Sequence, residues 1–337
     1  MTRMAEIVLG IGTSHTPMLN LGPEEWSSFI ELDRVRPHFH KDGRTATYED
    51  LLAIADPAIR AEITPERFAA KHEAAMAALA RLAGELRDAA LDSLIVIGDD
   101  QHEIFHGGNM PSVLIYHGAT IPNLPLHLRN PGPEWTRHPD WSRRATARYY
   151  EERERRDYPV DDALARHLTA ALVDAEFDVA VADALPEGEG EGHAFGFVHQ
   201  RLMREAVLPI VPVFLNTYYP PNQPTPRRCY RLGQAIRRAV ESYPGAARVG
   251  VVASGGLSHF TVDEAFDRTI IAALRDRDGA TLAGLPREKL EAGSSEIRNW
   301  ICAAGAIEHL SLRWVEYQPG YRTPAGTGTA MCFAHWS

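Results

Sequence analysis

Six short apolar runs separated by longer amphipathic stretches constrain the fold of this chain more than any other feature. The runs are EIVLGIG (6–12), SLIVIG (93–98), SVLIYHG (112–118), DVAVADA (178–184), PIVPVFLN (209–216) and VGVVAS (249–254). Runs that are apolar on both faces and rich in β-branched residues are typical of buried parallel strands. We therefore predict an α/β fold with a central, largely parallel or mixed sheet and helices on both faces.

Two of the intervening stretches have clear helix signals. Thr64 and Pro65 open one of them as an N-cap and a first helical residue, and Thr225 and Pro226 open the other in the same way. Apolar residues follow at helical spacing in both, and the sets are Phe68, Met76, Leu79, Leu82 and Leu86, then Leu232, Ile236 and Val240. Both stripes are expected to face the core.

Composition narrows the class of protein and its compartment. The chain has 337 residues, of which 45% are hydrophobic, enough to bury the core of one large α/β domain or of two smaller ones. A formal net charge of -10 argues against nucleic acid as a partner. Three widely spaced cysteines, Cys229, Cys302 and Cys332, favour reduced thiols and a cytoplasmic location. No apolar run is long enough for a membrane span, so no membrane association is expected.

Histidines follow four of the predicted strands. They are His15 after the first, His102 and His106 after the second, His193 after the fourth and His259, in GGLSH, after the sixth. Because ligands bind beyond the carboxyl ends of parallel strands, the active site is predicted at that edge of the sheet.

Converging histidines without a cysteine cluster indicate a metal held by nitrogen and carboxylate oxygen. Two histidines and one carboxylate form the facial ligand set of non-haem Fe(II) oxygenases. A zinc-dependent hydrolase uses the same residue types, although no HExxH motif occurs here.

Five ordered segments resemble the class III extradiol ring-cleavage dioxygenases. They are GIGTSHTPML, LIVIGDDQHEIF, EGHAFG, SGGLSHF and AGSSEIRNWICAAGAI. Within that family the segments resemble the catalytic β subunit of protocatechuate 4,5-dioxygenase and the single-chain enzymes for gallate and 3-O-methylgallate. It implies a single catalytic domain over residues 1–337 and an Fe(2+)-dependent enzyme that inserts both atoms of O2 into a catecholic aromatic acid. A metal-free protein-binding relative on the same fold is the alternative that the resemblance leaves open.

The resemblance also implies roles for individual residues. The metal ligands would be His15, His102 and Glu296, and the catalytic histidines would be His259, as acid and base, and His193, near the substrate hydroxyls. The family segment usually reads Asn-Asp-His, whereas this chain has an extra residue before His102 in Asp-Asp-Gln-His. His106 therefore stays open as the alternative ligand.

Substrate contacts are expected near YRTPAGTGT, at Arg322, Thr323 and Thr327. Gly326 stands where the protocatechuate enzyme has a serine, so the carboxylate contact is expected to be displaced. The polar segments near 22–60 and 128–160 resemble insertions that form a lid, with solvated surface or a dimer contact as alternatives. We expect a homodimer whose small-molecule partners are an aromatic diol and O2.

Overall fold

The computed structural model describes residues 4–129, 138–204 and 206–337. Its strands are β1 (Glu6–Thr13), β2 (His38–Phe39), β3 (Thr45–Ala46), β4 (Ser93–Asp99), β5 (Val113–Tyr116), β6 (Thr120–Asn123), β7 (Arg156–Pro159), β8 (Ala180–Ala182), β9 (Ile210–Leu215), β10 (Arg248–Ser254), β11 (His259–Thr261), β12 (Leu312–Tyr321) and β13 (Thr327–Trp336). Its α-helices are α1 (Ile30–Asp33), α2 (Tyr48–Ile54), α3 (Pro65–Asp88), α4 (Asp140–Ala147), α5 (Asp162–Asp174), α6 (His193–Phe197), α7 (Pro226–Glu241), α8 (Glu264–Asp276), α9 (Gly279–Ala283) and α10 (Ile297–Ala306). Each of the six apolar runs forms one of these strands.

One mixed sheet dominates the molecule, in the order β11-β13-β1-β10-β4-β9-β5-β8, with β12 paired to β13. The four central strands, β1, β10, β4 and β9, are mutually parallel. Antiparallel pairs flank them, since β13 runs against β1 and β5 runs against β9. The predicted mixed α/β class is therefore confirmed.

Alternate residues of the central strands serve two separate cores. In β4, Ile95 and Ile97 belong to the core that contains the apolar faces of α5, α7 and α10. Leu94 and Val96 belong to the opposite core, which contains those of α3 and α6. Helices therefore cover both faces of the sheet, as a largely parallel sheet requires.

The two helices with clear sequence signals form as predicted. Thr64 Oγ1 accepts a hydrogen bond from the Arg67 amide at 3.3 Å, and Thr225 Oγ1 accepts one from the Arg228 amide at 3.2 Å. The apolar stripes face inward, although Met76 is only partly buried.

The predicted insertions carry short elements at the edge of the sheet. Residues 22–60 contain α1, α2, the β2–β3 pair and 3-10 turns. Of residues 128–160, positions 130–137 lie outside the described residues, and the remainder contains α4 and β7. A lid function for either segment stays a prediction. In the part of the chain that is described, no helix combines the length and apolarity that crossing a membrane requires.

Candidate functional site

A cavity of about 350 Å³ opens beyond the carboxyl ends of the central strands. His15 lies two residues after β1, and Gly256 lies two residues after β10. His193, His259 and Glu296 line the same cavity. The topology thus brings together residues that are up to 281 positions apart in the sequence, at the edge where the strand pattern placed them.

Four side chains at this cavity form a group that is able to hold a metal ion. They are His15, Asp99, His193 and Glu296, whose ligand atoms all lie within 4.8 Å of one another. His15 Nε2 is 3.2 Å from Glu296 Oε2 and 3.2 Å from His193 Nε2. Ligand atoms that bind one ion at right angles, at about 2.1 Å each, are about 3 Å apart. The spacing of these three atoms therefore suits a shared cation.

Hydrogen bonds fix the orientation of the His15 ring. Its Nδ1 atom is 3.0 Å from Ser254 Oγ, and that hydroxyl donates its own proton to the Ala194 carbonyl at 2.7 Å. The Ser254 oxygen therefore accepts from Nδ1–H, and this bond turns the Nε2 atom of His15 toward the group. The Tyr149 hydroxyl donates to the His15 carbonyl at 2.5 Å and holds the backbone.

His193 is oriented in the same way by a residue that the sequence did not single out. His193 Nδ1 lies 2.7 Å from Glu103 Oε2, and the other Glu103 oxygen accepts from the Tyr150 hydroxyl at 2.5 Å. Burial alone would lower the pKa of His193, but the charge of Glu103 and this hydrogen bond raise it to about 10. The surroundings of His193 therefore favour a positive charge at its ring.

Glu296 lies at the start of α10, and its carboxylate is the centre of the site. Oε2 accepts from the Gly256 amide at 2.8 Å, and Oε1 accepts from Gln101 Nε2 at 3.0 Å. Burial would raise the pKa of Glu296, but the charges of His259 and His15 and their hydrogen bonds hold it well below its usual value. The side chain is therefore an anion at neutral pH.

Asp99, the last residue of β4, adds a second carboxylate. Its oxygens accept from Asn299 Nδ2 at 3.1 Å and from Gln101 Nε2 at 3.3 Å. Burial, and then the charge of Glu296, raise the pKa of Asp99. Two buried carboxylates at one site repel each other, and a bound cation would relieve that repulsion.

His259 stands on the opposite side of the Glu296 carboxylate from His15. Its Nδ1–H donates to the Leu257 carbonyl at 2.8 Å, so Nε2 faces Glu296 Oε1 at 3.2 Å. Burial lowers the pKa of His259, but the charge of Glu296 and the hydrogen bond to it outweigh burial and raise the pKa. The two histidines contact different oxygens of the same carboxylate, and His259 lies outside the four-residue group.

The structure does not bring His102 or His106 into the group. Both side chains are exposed, and the His102 ring stacks on Tyr219 with centroids 3.5 Å apart. His102 has a φ of 61°, in the left-handed region, where the chain turns after β4. Gln101, the residue before it, is the one whose side chain reaches Glu296. In this segment, which has an extra residue before His102, the side chain at the centre of the site is therefore the amide of Gln101 and not an imidazole.

The predicted substrate contacts near the C-terminus are largely occupied by protein partners. Arg322 lines the cavity but makes a bidentate ion pair with Asp33, at 2.8 and 2.6 Å. Thr327 Oγ1 donates to the same Asp33 at 2.7 Å and lies 2.7 Å from Thr323 Oγ1. Both threonine side chains are fully buried and do not line the cavity.

Comparison with known proteins adds an independent observation. Residues 145–332, more than half of the chain, match the family model described as the catalytic LigB subunit of aromatic ring-opening dioxygenase. Over 99 residues the chain is 41% identical to a gallate dioxygenase of Pseudomonas putida, which covers 29% of this chain and 28% of the relative. Over 101 residues it is 36% identical to a 2,3-dihydroxyphenylpropionate/2,3-dihydroxicinnamic acid 1,2-dioxygenase of Cupriavidus necator, which covers 30% of each chain. The alignments thus span less than a third of these relatives.

Proposed function

Because the chain belongs to the family of the catalytic LigB subunit of aromatic ring-opening dioxygenases, we propose that it is an extradiol dioxygenase that opens the ring of a catecholic aromatic acid with O2. The observation that carries this proposal is the arrangement of three imidazoles, two buried and that of His193 partly buried, around one carboxylate. His15, His193 and His259 are each held through Nδ1, and each turns Nε2 inward.

The proposed metal ligands are His15, His193 and Glu296. The Nε2 atoms of His15 and His193 face each other at 3.2 Å, a spacing that suits two ligands of one cation. Two histidines and one carboxylate are the ligand set of non-haem Fe(II) oxygenases, which supports Fe(2+). Asp99 offers a further oxygen beside them. His102, exposed and stacked on Tyr219, is not part of this proposed set.

A bound Fe(II) would supply adjacent open positions for a diol and for O2. Residues of the chain would orient the ligands and contact the substrate. Glu103 holds the His193 ring in place through Nδ1. Phe29 and Phe260 line the cavity, where they would contact an aromatic ring and exclude water.

His259 is the proposed acid and base. The Nδ1–H bond to Leu257 turns its Nε2 atom toward the Glu296 carboxylate and the cavity, where it would exchange a proton with a substrate hydroxyl. The negative charge of Glu296 raises the pKa of His259, which makes the neutral ring a stronger base toward the diol, and the proton that the ring takes up is returned later in the reaction.

The proposed substrates are 3-O-methylgallate, gallate or a related protocatechuate-like acid. The names of the relatives support this class, since gallate and 2,3-dihydroxyphenylpropionate are both aromatic diols with a carboxylate. The homodimer and the cytoplasmic location remain predictions.

The test is metal analysis of protein purified without oxygen, together with oxygen uptake on these acids. We expect about one iron per chain and uptake that depends on it. Glu296→Gln should lose both because the anion at the centre of the site is gone, whereas Glu291→Gln, in the same segment but outside the group, should retain both. Stoichiometric zinc with hydrolytic activity, or no metal in active protein, would contradict the proposal.

A further inference from the structure

Three charged residues beside the cavity, Asp33, Arg322 and Arg36, carry one more positive charge than negative. Asp33 is fully buried, and both of its oxygens are engaged by Arg322, at 2.6 and 2.8 Å, and by Thr327 at 2.7 Å. Arg36 is the second guanidinium near this carboxylate, but its Nε atom is 3.6 Å from Asp33 Oδ1, beyond hydrogen-bond distance. One buried carboxylate therefore lies near two guanidinium groups, and only Arg322 is hydrogen-bonded to it.

The Arg36 guanidinium is held at the cavity by packing and not by hydrogen bonds. Its side chain is 23% exposed, and its Cζ atom lies 4.0 Å from the centre of the Phe260 ring. Among the residues that the structure describes, its guanidinium donates no hydrogen bond. Burial, the largest effect, and the charge of Arg322 lower the pKa of Arg36 to about 10, so the group remains a cation at neutral pH.

A largely buried cation whose donors have no protein acceptor at hydrogen-bond distance is suited to bind an anion. The planar fork of a guanidinium matches a carboxylate through two parallel hydrogen bonds, and such charge-assisted pairs are the strongest hydrogen bonds in proteins. No carboxylate of the described residues is paired with Arg36 at hydrogen-bond distance. An anion that entered the cavity would complete the charge balance.

Arg36 lies in the same cavity as the candidate metal group. Both line the same cavity of about 350 Å³. The Phe260 ring that supports Arg36 belongs to the residue after His259, and Thr261 Oγ1 donates to the Phe39 carbonyl at 2.8 Å, which ties the segment of Arg36 to β11. An aromatic ring between the two would have its hydroxyls at the metal group and an acidic substituent at Arg36.

We propose that Arg36 is the specificity-determining residue of this site and that it selects substrates with a carboxylate on the aromatic ring. This inference rests on the proposed function. It assigns the acid contact to the 22–60 segment, whereas the sequence pointed to Arg322, Thr323 and Thr327.

The test is an oxygen-free titration of the iron-loaded protein with two matched diols, 3,4-dihydroxybenzoate and the uncharged 3,4-dihydroxybenzamide. The wild type should bind the acid more tightly than the amide. In Arg36→Gln that preference should fall at least about tenfold, because a hydrogen-bonded ion pair is lost. Arg36→Lys should retain part of the preference, since it keeps the charge but not the fork. Arg34→Gln is the matched control, because Arg34 is exposed and does not line the cavity, and it should behave as wild type.

Oxygen uptake separates failure of this inference from failure of the proposed function. If Arg36→Gln keeps the full preference for the acid, or the wild type has none, the inference is wrong even if both diols are cleaved. If the preference depends on Arg36 but neither diol nor gallate supports oxygen uptake, the carboxylate site stands and the dioxygenase proposal falls. Thermal unfolding of each variant checks that the fold is unchanged.

Discussion

His259 Nε2 lies 3.2 Å from Oε1 of Glu296, while His15 Nε2 lies 3.2 Å from Oε2 of the same side chain. One carboxylate thus separates two imidazoles to which we assign different work. His15 and Glu296 both belong to the four-residue candidate metal group, whereas His259 does not. The division between metal binding and proton transfer therefore runs through Glu296, and variants on its two sides should fail in different ways.

Replacing His259 with Phe should preserve iron content and binding of the diol but slow turnover by about 10²-fold or more, as loss of a positioned acid and base does. Metal analysis, anaerobic substrate titration and oxygen uptake on the same preparation measure the three quantities. Loss of iron would make His259 a ligand, and undiminished uptake would make it a structural residue.

His193→Ala and His102→Ala should differ in metal retention. The first removes one of the atoms within reach of a shared ion, and the second removes an exposed ring that stacks on Tyr219. Iron per chain, measured after dialysis against a weak chelator, should fall markedly for His193→Ala and stay near the wild-type value for His102→Ala. The opposite ranking would restore His102 as the ligand that the resemblance implied.

Gly293→Ala should damage turnover although it alters no ionisable group. A Cβ atom there would lie 2.0 Å from Cδ2 and 2.5 Å from Nε2 of His259, so the imidazole would have to move. Gly84→Ala is the control: Gly84 is partly exposed on helix α3, an added Cβ would have its nearest atom 3.7 Å away, and the change should be neutral or slightly stabilising. Steady-state oxygen uptake and thermal unfolding compare the two. Wild-type turnover in Gly293→Ala would mean that the placement of the ring is not critical.

Asp267 should make stability depend on pH. Burial raises its pKa to about 6, although hydrogen bonds from Ser258 and Tyr317 partly oppose the shift. Because the native state holds this proton more tightly than the unfolded state does, the associated stability is present at low pH and is lost as pH rises through about 6. Relative to Asp267→Asn, the wild-type free energy of unfolding should fall by roughly 1 to 2 kcal/mol between about pH 5 and about pH 8. Urea unfolding at both values tests this, and parallel curves would contradict it.

The sequence was a good guide where a pattern repeats and a poor one where a single loop decides. Doubly apolar runs predicted all six strands because burial on both faces leaves a local signature. The conformation of the backbone after β4 decides which side chain of Asp-Asp-Gln-His-Glu enters the cavity. The spacing of apolar residues in the sequence does not predict that conformation. In that segment Gln101 reaches Glu296, while Glu103 orients His193.

The pairing of Asp33 with Arg322 was equally hidden from the sequence. The two residues are 289 positions apart, and nothing in the sequence around Asp33 links it to Arg322, which was expected to contact the substrate. Only the structure shows that Arg322 is hydrogen-bonded to Asp33 and that the nearby Arg36 is not. A charge balance of this kind depends on long-range packing, so it is visible only once the chain is folded.

The pairing of β11 with β13 affects the order in which the site is completed during synthesis. Residue His259 is opposite Thr329 in that pair, and among the described strands β11 has no other neighbour in the sheet. A ribosome has made His15, His193 and Glu296 before it reaches residues 327–336. A nascent chain therefore contains every proposed metal ligand before the strand that holds His259 can gain its partner in the sheet.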